Sequence, residues 1–188
     1  MIRRRLFRIG FAFSVVSGLL AVAWFGLDHL SPQAAPVIGQ VTSMPVALDL
    51  SDAAGKAVNA TDSTGRLSLV TFGFTNCPDV CPTLLARQTA ILDALGDDAA
   101  RLRPVFVTLD PVRDTAEELA SYVAAFDSRI VGARGSQAQT DAAAQAFRIQ
   151  YRRDGEGDEA MIYHTAALFL VDTEGNLAGY FRHEDPLE

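Results

Sequence analysis

The apolar and polar positions of the chain first separate a leader from the remainder. Residues 9–27 form an uncharged, mostly apolar run, with four arginines among residues 3–8 before it and Asp28 after it. As a helix this run would span about 28 Å, which is close to the ~30 Å hydrocarbon core of a bilayer. The basic flank predicts that the N-terminus stays inside and that the rest lies outside the cytosol. We therefore interpret residues 1–30 as a single-pass transmembrane anchor.

A second interpretation of the leader stays open. Ala21-Val22-Ala23 is a small-residue pattern typical of signal-peptide cleavage. The apolar run continues past this point and is long enough to span a bilayer, which favours the uncleaved anchor. In both cases the rest of the chain faces an oxidising extracytoplasmic compartment such as a periplasm. Residues 31–40, which contain two prolines and several small residues, are interpreted as a tether.

Beyond the tether, the pattern predicts strands and helices in alternation. Residues 46–50 alternate like a strand, and residues 67–74 and 104–109 are apolar runs typical of strands buried on both faces. Apolar positions at helical spacing, preceded by a proline or a capping residue, predict helices. The remaining elements are helices at residues 82–95, 114–126 and 136–147, and strands at residues 149–153, 166–171 and 177–181.

This order of elements predicts an α/β domain with a thioredoxin-like plan, in which a βαβ unit is followed by an antiparallel hairpin. Its predicted bounds are residues 41–182, and residues 183–188 form a short tail. Outside the leader, the chain carries a net charge of about −10. This acidity argues against nucleic acid or an anionic lipid surface as a partner of the domain.

The two cysteines of the chain, Cys77 and Cys81, lie four residues apart at the carboxyl end of a predicted buried strand. Open α/β sheets place their sites at this edge. Each cysteine precedes a proline, which disfavours the α conformation, so we predict a tight loop at residues 78–80 with Cys81 at the helix cap. There the helix dipole would lower the pKa of Cys81. The pair suits a soft metal or a redox couple, whereas a structural disulfide around so short a loop would stabilise little.

A metal site with two thiolates usually has a third ligand, and the chain has three histidines. His29 lies next to the predicted anchor and His183 lies in a charged stretch close to the chain end, and both positions are typical of solvated residues. His164 stands just before the apolar run at residues 166–171. A histidine in such a position is more often a hydrogen-bonded structural residue than a ligand. The residues alone therefore leave its role open.

Three segments together resemble one known family. Residues 73–82, Gly-Phe-Thr-Asn-Cys-Pro-Asp-Val-Cys-Pro, resemble the signature of the Sco/SenC family, whose members are copper-handling proteins of cytochrome oxidase assembly. Residues 107–115, Val-Thr-Leu-Asp-Pro-Val-Arg-Asp-Thr, and residues 164–166, His-Thr-Ala, fall where that family has matching segments. The resemblance covers about residues 46–181 and includes the membrane anchor.

The resemblance implies a copper metallochaperone. Such a protein binds one copper through Cys77, Cys81 and His164 and assists maturation of the dinuclear copper centre of cytochrome c oxidase. The implied partners are the oxidase subunit that carries this centre and a copper donor protein. Two thiolates with an imidazole suit Cu(I), whereas zinc, which accepts the same ligands, usually takes four of them in a structural site.

Three further residues are expected around these ligands. Asp79, Asp110 and Arg113 are candidates to orient the imidazole of His164 or to tune the thiolates. The alternative for the two aspartates is a role in a turn or a loop. The family often has an acidic residue directly before the histidine, whereas this chain has Tyr163. A carboxylate at that neighbouring position is therefore not available to fix the imidazole.

Two other functions are weighed against copper handling. A thiol–disulfide reductase that acts on the cysteines of the oxidase subunit would use Cys77 and Cys81 as catalytic residues. A peroxiredoxin-like peroxidase is less compatible, because its motif places a threonine and a single peroxidatic cysteine in a different pattern. His164 discriminates between the first two functions, since copper handling requires it and disulfide exchange does not.

Overall fold

The computed structural model describes residues 44–155, 157 and 160–185, which form a mixed α/β domain. The predicted anchor and tether, at residues 1–40, lie outside the described residues. Within the part of the chain that the structure describes, no helix is long and apolar enough to cross a bilayer.

The described residues form ten strands, three α-helices and one 3-10 helix. The strands are β1 Met44–Pro45, β2 Asp49–Ser51, β3 Ala57–Asn59, β4 Leu67–Gly73, β5 Leu102–Thr108, β6 Val131–Ala133, β7 Tyr151–Asp154, β8 Met161–His164, β9 Ala167–Val171 and β10 Asn176–Arg182. The helices are α1 Val80–Leu95, α2 Ala116–Ala124 and α3 Gln137–Ala146, and the 3-10 helix Gly96–Arg101 follows α1. Six strands form one sheet in the order β1-β10-β9-β4-β5-β6, and β2–β3 and β7–β8 form separate two-stranded sheets.

The predicted βαβ unit and the hairpin after it are confirmed. Strands β4 and β5 pair in parallel across α1, with Gly73 opposite Thr108. Strand β9 lies antiparallel to β4, and β10 lies antiparallel to β9. Both parallel strands are buried along almost their whole length, as their continuous apolar sequences predict. The cysteine segment therefore leaves the carboxyl end of a rigid central strand.

The N-terminal strand predicted at residues 46–50 is wrong as a single element. Its alternation is real, because Val46, Leu48 and Leu50 are all buried. However, residues 46–48 belong to no strand, and the chain passes there from β1, which pairs with β10, to β2, which pairs with β3. An alternating pattern fixes which side chains face the core, but it does not fix which strand supplies the hydrogen bonds.

Helix α1 begins earlier than the sequence predicts. Asp79 is the N-cap residue and Val80 the first helical residue, so Cys81 lies within the first turn and not at the cap. Pro82 is also inside that turn. Amides of a first helical turn have no acceptor within the helix, so a proline there removes no helical hydrogen bond.

Of the paired strands β7 and β8, the sequence predicted only β7. The expected strand at residues 149–153 corresponds to β7, but β8 was not expected, and neither were the short β3 and β6. Strands β7 and β8 pair antiparallel, with Tyr151 opposite His164. We call this pair the β7–β8 hairpin. His164 is thus the last residue of a strand in a small sheet of its own.

Candidate metal and thiol site

The two cysteines lie where β4 passes into α1. Cys77 is half-buried, and its backbone amide donates to the carbonyl oxygen of Phe74 at 3.3 Å. Cys81, in the first turn of α1, is fully buried. Both are free thiols. The segment therefore presents one accessible sulfur and one that is shielded from solvent.

Gly73 allows Cys81 to reach its position. A Cβ atom at residue 73 would lie 2.7 Å from the Sγ atom of Cys81 and 2.8 Å from the ring of Phe106. Both distances are far below van der Waals contact, and both neighbours are buried in the core. The absence of a side chain at the last residue of β4 is what leaves room for the buried thiol.

His164 faces the buried thiol from the β7–β8 hairpin. Its Nε2 atom lies 3.6 Å from the Sγ atom of Cys81, and its Nδ1 atom lies 2.9 Å from the carbonyl oxygen of Thr165. A carbonyl oxygen only accepts, so this contact places a proton on Nδ1 and leaves Nε2 facing the thiol pair. The ring also packs edge-on against Phe74, at 6.3 Å between centroids.

The thiols and the imidazole interact with one another. Cys77 forms side-chain hydrogen bonds with Cys81 and with His164, and the backbone amides of Asp79 and Cys81 also donate to its sulfur. The hydrogen bond from the Cys81 thiol is the largest of the causes that act on Cys77, and it lowers the pKa of Cys77 far below that of an ordinary thiol despite partial burial. Cys77 is therefore the thiolate of the pair.

The expectation of a lowered pKa at Cys81 is wrong. The hydrogen bond to Cys77 and then burial raise the pKa of Cys81, because its proton is shared with the neighbouring thiolate and its own charge would be poorly solvated. The sequence identified a helix start that favours anions, but it could not show which sulfur is buried beneath the other. The amides of that helix start donate instead to Cys77.

This asymmetry predicts a specific alkylation pattern. In the reduced, metal-free protein, Cys77 should react with iodoacetamide at nearly constant rate between pH 5 and 8, because it is already ionised throughout that interval. An ordinary thiol would accelerate about a thousandfold over the same interval. Peptide mass spectrometry would measure both cysteines. The control is Cys81→Ala, which removes the donor to Cys77 and should restore a steep pH dependence; a steep dependence in the unmodified chain would contradict the assignment.

The donor set fits a thiophilic metal. Bonds of about 2.3 Å to sulfur and about 2.0 Å to nitrogen, at an angle of about 110–120°, place the two ligand atoms about 3.6 Å apart. The observed contact between Cys81 and His164 has this length. Among the residues that the structure describes, no group of three His, Cys, Asp or Glu side chains is already closed around a metal position. The thiols and the imidazole instead hydrogen-bond to each other.

The three residues expected around the ligands are placed differently from one another. Asp79 contributes its backbone amide to the Cys77 sulfur, and its side chain forms no cap hydrogen bond. Asp110 is fully buried and pairs with the guanidinium groups of Arg113 and Arg153. Arg113 lies over the ring of Phe74, at 6.0 Å from its centroid. The partner of the His164 imidazole is the Thr165 carbonyl and not one of these carboxylates.

The carboxylate of Asp114 holds the cysteine segment in place. The cap of α2 is Thr115, which forms a capping box with Glu118. The buried Asp114 carboxylate accepts hydrogen bonds from the amide of Thr75 at 3.1 Å, from its hydroxyl at 2.6 Å, and from the hydroxyl of Thr108 at 2.5 Å. Burial raises the pKa of Asp114 more than these bonds lower it. The threonine two residues before Cys77 is thereby fixed to the neighbouring strand.

A family model described as SCO1/SenC matches residues 41–188. The chain belongs to the SCO1/SenC family. This SCO1/SenC protein is 34% identical over 177 residues to an SCO2-like protein of Rickettsia typhi, with 89% of this chain and 87% of the relative covered. It is 35% identical over 124 residues to the human mitochondrial SCO1 homolog, with 64% of this chain and 41% of that protein covered. The predicted family is confirmed.

Solved structures of the SCO1/SenC family share the fold. Apo Sco1 from Thermus thermophilus gives a TM-score of 0.71 at 30% identity, covering 82% of this chain and 91% of that chain. ScoI from Bradyrhizobium japonicum with copper bound gives a TM-score of 0.67 at 31% identity, covering 77% and 92%. Copper, the metal that the sequence resemblance implies, is therefore the metal present in a solved relative of this SCO1/SenC protein.

Proposed function

We propose that this protein is a copper metallochaperone. In this proposal one copper ion is the cargo, its ligands are the sulfur atoms of Cys77 and Cys81 and the Nε2 atom of His164, and its recipient is the copper-centre subunit of cytochrome c oxidase. A copper donor protein loads the site. The proposal rests on membership of the SCO1/SenC family and on a relative that contains copper.

The observation that carries the ligand assignment is the contact between Cys81 and His164. The sequence separates these residues by 83 positions, yet Sγ and Nε2 approach to 3.6 Å. A histidine with a purely structural role satisfies both ring nitrogens with ordinary donors and acceptors. Here one nitrogen is fixed by a backbone carbonyl and the other faces a pair of thiols, which is the usual arrangement of a metal-ligating histidine.

The chain's own groups account for loading and release. Cys77, which is ionised and half exposed, offers the first sulfur to an incoming ion. Ligation by Cys81 then releases the proton that the pair shares, because a thiol must lose its proton to bind. The buried Cys81 and the imidazole keep the ion from solvent, and three ligands leave room for a recipient's ligand on the Cys77 side. Transfer by ligand exchange needs such an open position.

Metal stoichiometry tests the proposal directly. The full-length chain, reduced and titrated with Cu(I) under a competing chelator, should bind one copper per chain by mass spectrometry. Protein whose accessible thiol, Cys77, was first blocked with iodoacetamide is the matched control and should lose stoichiometric copper binding. A reduced chain that binds no copper, or that binds it equally well after blocking, would overturn the proposal.

Thiol–disulfide exchange is a second candidate that one observation favours. The pair combines a half-exposed, low-pKa sulfur with a buried neighbour, which is the arrangement of a nucleophile and a resolving thiol. The Cys77 thiolate would attack a disulfide of the target and release one target thiolate. Cys81 would then displace the second target thiol and form the Cys77–Cys81 disulfide. Two electrons pass to the target, whose cysteines become able to bind copper.

The predicted location accompanies this function. We expect the chain to remain attached to a membrane through residues 9–27, with the domain on the extracytoplasmic side, where an oxidase copper centre is assembled. Intact-mass measurement of the protein extracted from membranes should find residues 3–27 retained. A mature chain beginning at Trp24 would identify the leader as a cleaved signal peptide and contradict the anchor.

A further inference from the structure

We propose that Arg153 is a positioning residue that holds His164 at the thiol pair, acting through Asp110. This inference rests on the proposed function, because it concerns the reach of the third copper ligand. It adds a residue that neither the motifs nor the family resemblance singled out. The carrying observation is that one loop, residues 110–114, is bonded both to the histidine side and to the cysteine side of the site.

His164 depends on contacts outside the main sheet. The β7–β8 hairpin that carries it forms a two-stranded sheet of its own, without a ladder of hydrogen bonds to the six-stranded sheet. A two-stranded sheet has little stability by itself. The chain joins His164 to β9 of the main sheet through residues 165 and 166, which fixes one end of the hairpin. The orientation of the rest of the hairpin, and with it of the imidazole, depends on the groups that attach it to the domain.

Asp110 is the centre of that attachment. Its fully buried carboxylate accepts from Arg113 through one oxygen and from Arg153, on β7, through the other. Arg113 extends the connection to the start of β8, because its Nη2 atom donates to the carbonyl oxygen of Ala160 at 2.7 Å. Both strands of the hairpin are thus bonded to the 110–114 loop.

The same loop is fixed to the cysteine segment at its other end. Asp114 accepts the amide and hydroxyl of Thr75, two residues before Cys77. Arg134 closes the loop by donating to the carbonyl oxygens of Pro111 and Asp114 at 2.9 and 3.1 Å. A five-residue loop, hydrogen-bonded at both ends, therefore connects the cysteine segment to the hairpin that carries the imidazole.

Of the two arginines on Asp110, Arg153 is the better test. Removing Arg113 would release the loop and the hairpin together. Removing Arg153 leaves the buried carboxylate paired with Arg113, so no unpaired charge is created in the core. The side chain of Arg153 is 36% exposed, which allows a neutral side chain to be solvated there. We expect Arg153→Gln to fold, to loosen the hairpin and to weaken copper binding.

The neighbouring residue supplies a matched control. Arg152 lies on the same strand, but its guanidinium stacks on the exposed ring of Tyr163, at 5.3 Å from the centroid, whereas the ion-pair partners of Asp110 are Arg113 and Arg153. Arg152→Gln changes the net charge by the same amount as Arg153→Gln. Copper affinity should fall about 10–100-fold in Arg153→Gln, as for other residues that orient a ligand, and should hardly change in Arg152→Gln. Arg153→Lys, which keeps a positive charge beside the Asp110 carboxylate, should lose less copper affinity than Arg153→Gln.

A double-mutant cycle separates positioning from general damage. If Arg153 acts through the imidazole, Arg153→Gln should lower copper affinity no further in a His164→Ala background. The thiolate-to-copper charge-transfer absorption of the Cu(II) form should shift in Arg153→Gln toward that of His164→Ala. Equal losses in the two backgrounds, or equal affinities in Arg153→Gln and Arg152→Gln, would overturn the inference. If His164→Ala itself left affinity unchanged, the ligand set of the proposed function would fail instead.

Discussion

Replacement of Cys77 and Cys81 by serine together should abolish stoichiometric copper binding. Two sulfur ligands are then lost and one imidazole remains, which cannot hold a soft ion against a competing chelator. We expect affinity to fall by at least about a thousandfold, or about 4 kcal/mol. The measurement is copper content per chain after equilibration with Cu(I) and a chelator of known affinity.

Two control variants distinguish the loss of ligands from misfolding. Cys81 is fully buried next to Gly73 and Phe106, so a serine there buries a hydroxyl, and Cys81→Ala is the second variant to compare. His183→Ala removes an exposed histidine that belongs to no part of the site and should leave one copper per chain. A folded Cys77→Ser, Cys81→Ser protein that keeps one tightly bound copper would remove the basis of the proposed site.

The main architecture was predictable because buried strands and capped helices have distinct patterns of apolar and polar residues. The apolar runs that became β4 and β5, and the capped helix that became α2, were predicted to within about two residues. The short strands β3, β6 and β8 were missed, since three or four residues give too little periodicity to be distinguished from loops. The split near residues 46–48 was also missed, because it depends on hydrogen-bond partners that are distant in sequence.

The reactive residues of the candidate site were predictable from the sequence, but the groups that orient them were not. Cys77, Cys81 and His164 were singled out, and the structure brings them together. Arg153 was not, because the charged run Arg152-Arg153-Asp154 has the pattern of a solvated segment. The carbonyl of Thr165 leaves no mark on sequence at all, since every residue has one. The type of a side chain indicates which chemistry it can perform. Its orientation depends on backbone groups and on ion pairs between segments that are distant in sequence.

The loss of His164 should separate copper transfer from disulfide exchange. We expect His164→Ala to weaken copper binding by more than the about 10–100-fold that removal of an outer-sphere partner causes, because a ligand itself is removed. Disulfide exchange needs thiolate character and access at Cys77. The largest contribution to that thiolate comes from the Cys81 hydrogen bond, and the contribution of His164 is smaller. The variant should therefore still cycle between dithiol and disulfide with a small thiol, at a rate close to that of the unmodified chain.

In cells that depend on this protein, the same variant distinguishes the two proposed tasks. If copper transfer is the main task, His164→Ala should reduce the copper-centre absorbance of the oxidase at limiting copper, whereas His183→Ala should not. Added copper should restore the absorbance, because excess metal bypasses a weak carrier but cannot replace a missing reductant. Normal oxidase assembly by His164→Ala at limiting copper would reverse the ranking. Cys77 and Cys81 would then act as a reductase of the oxidase subunit, and the imidazole contact would be a structural feature of the thiol pair.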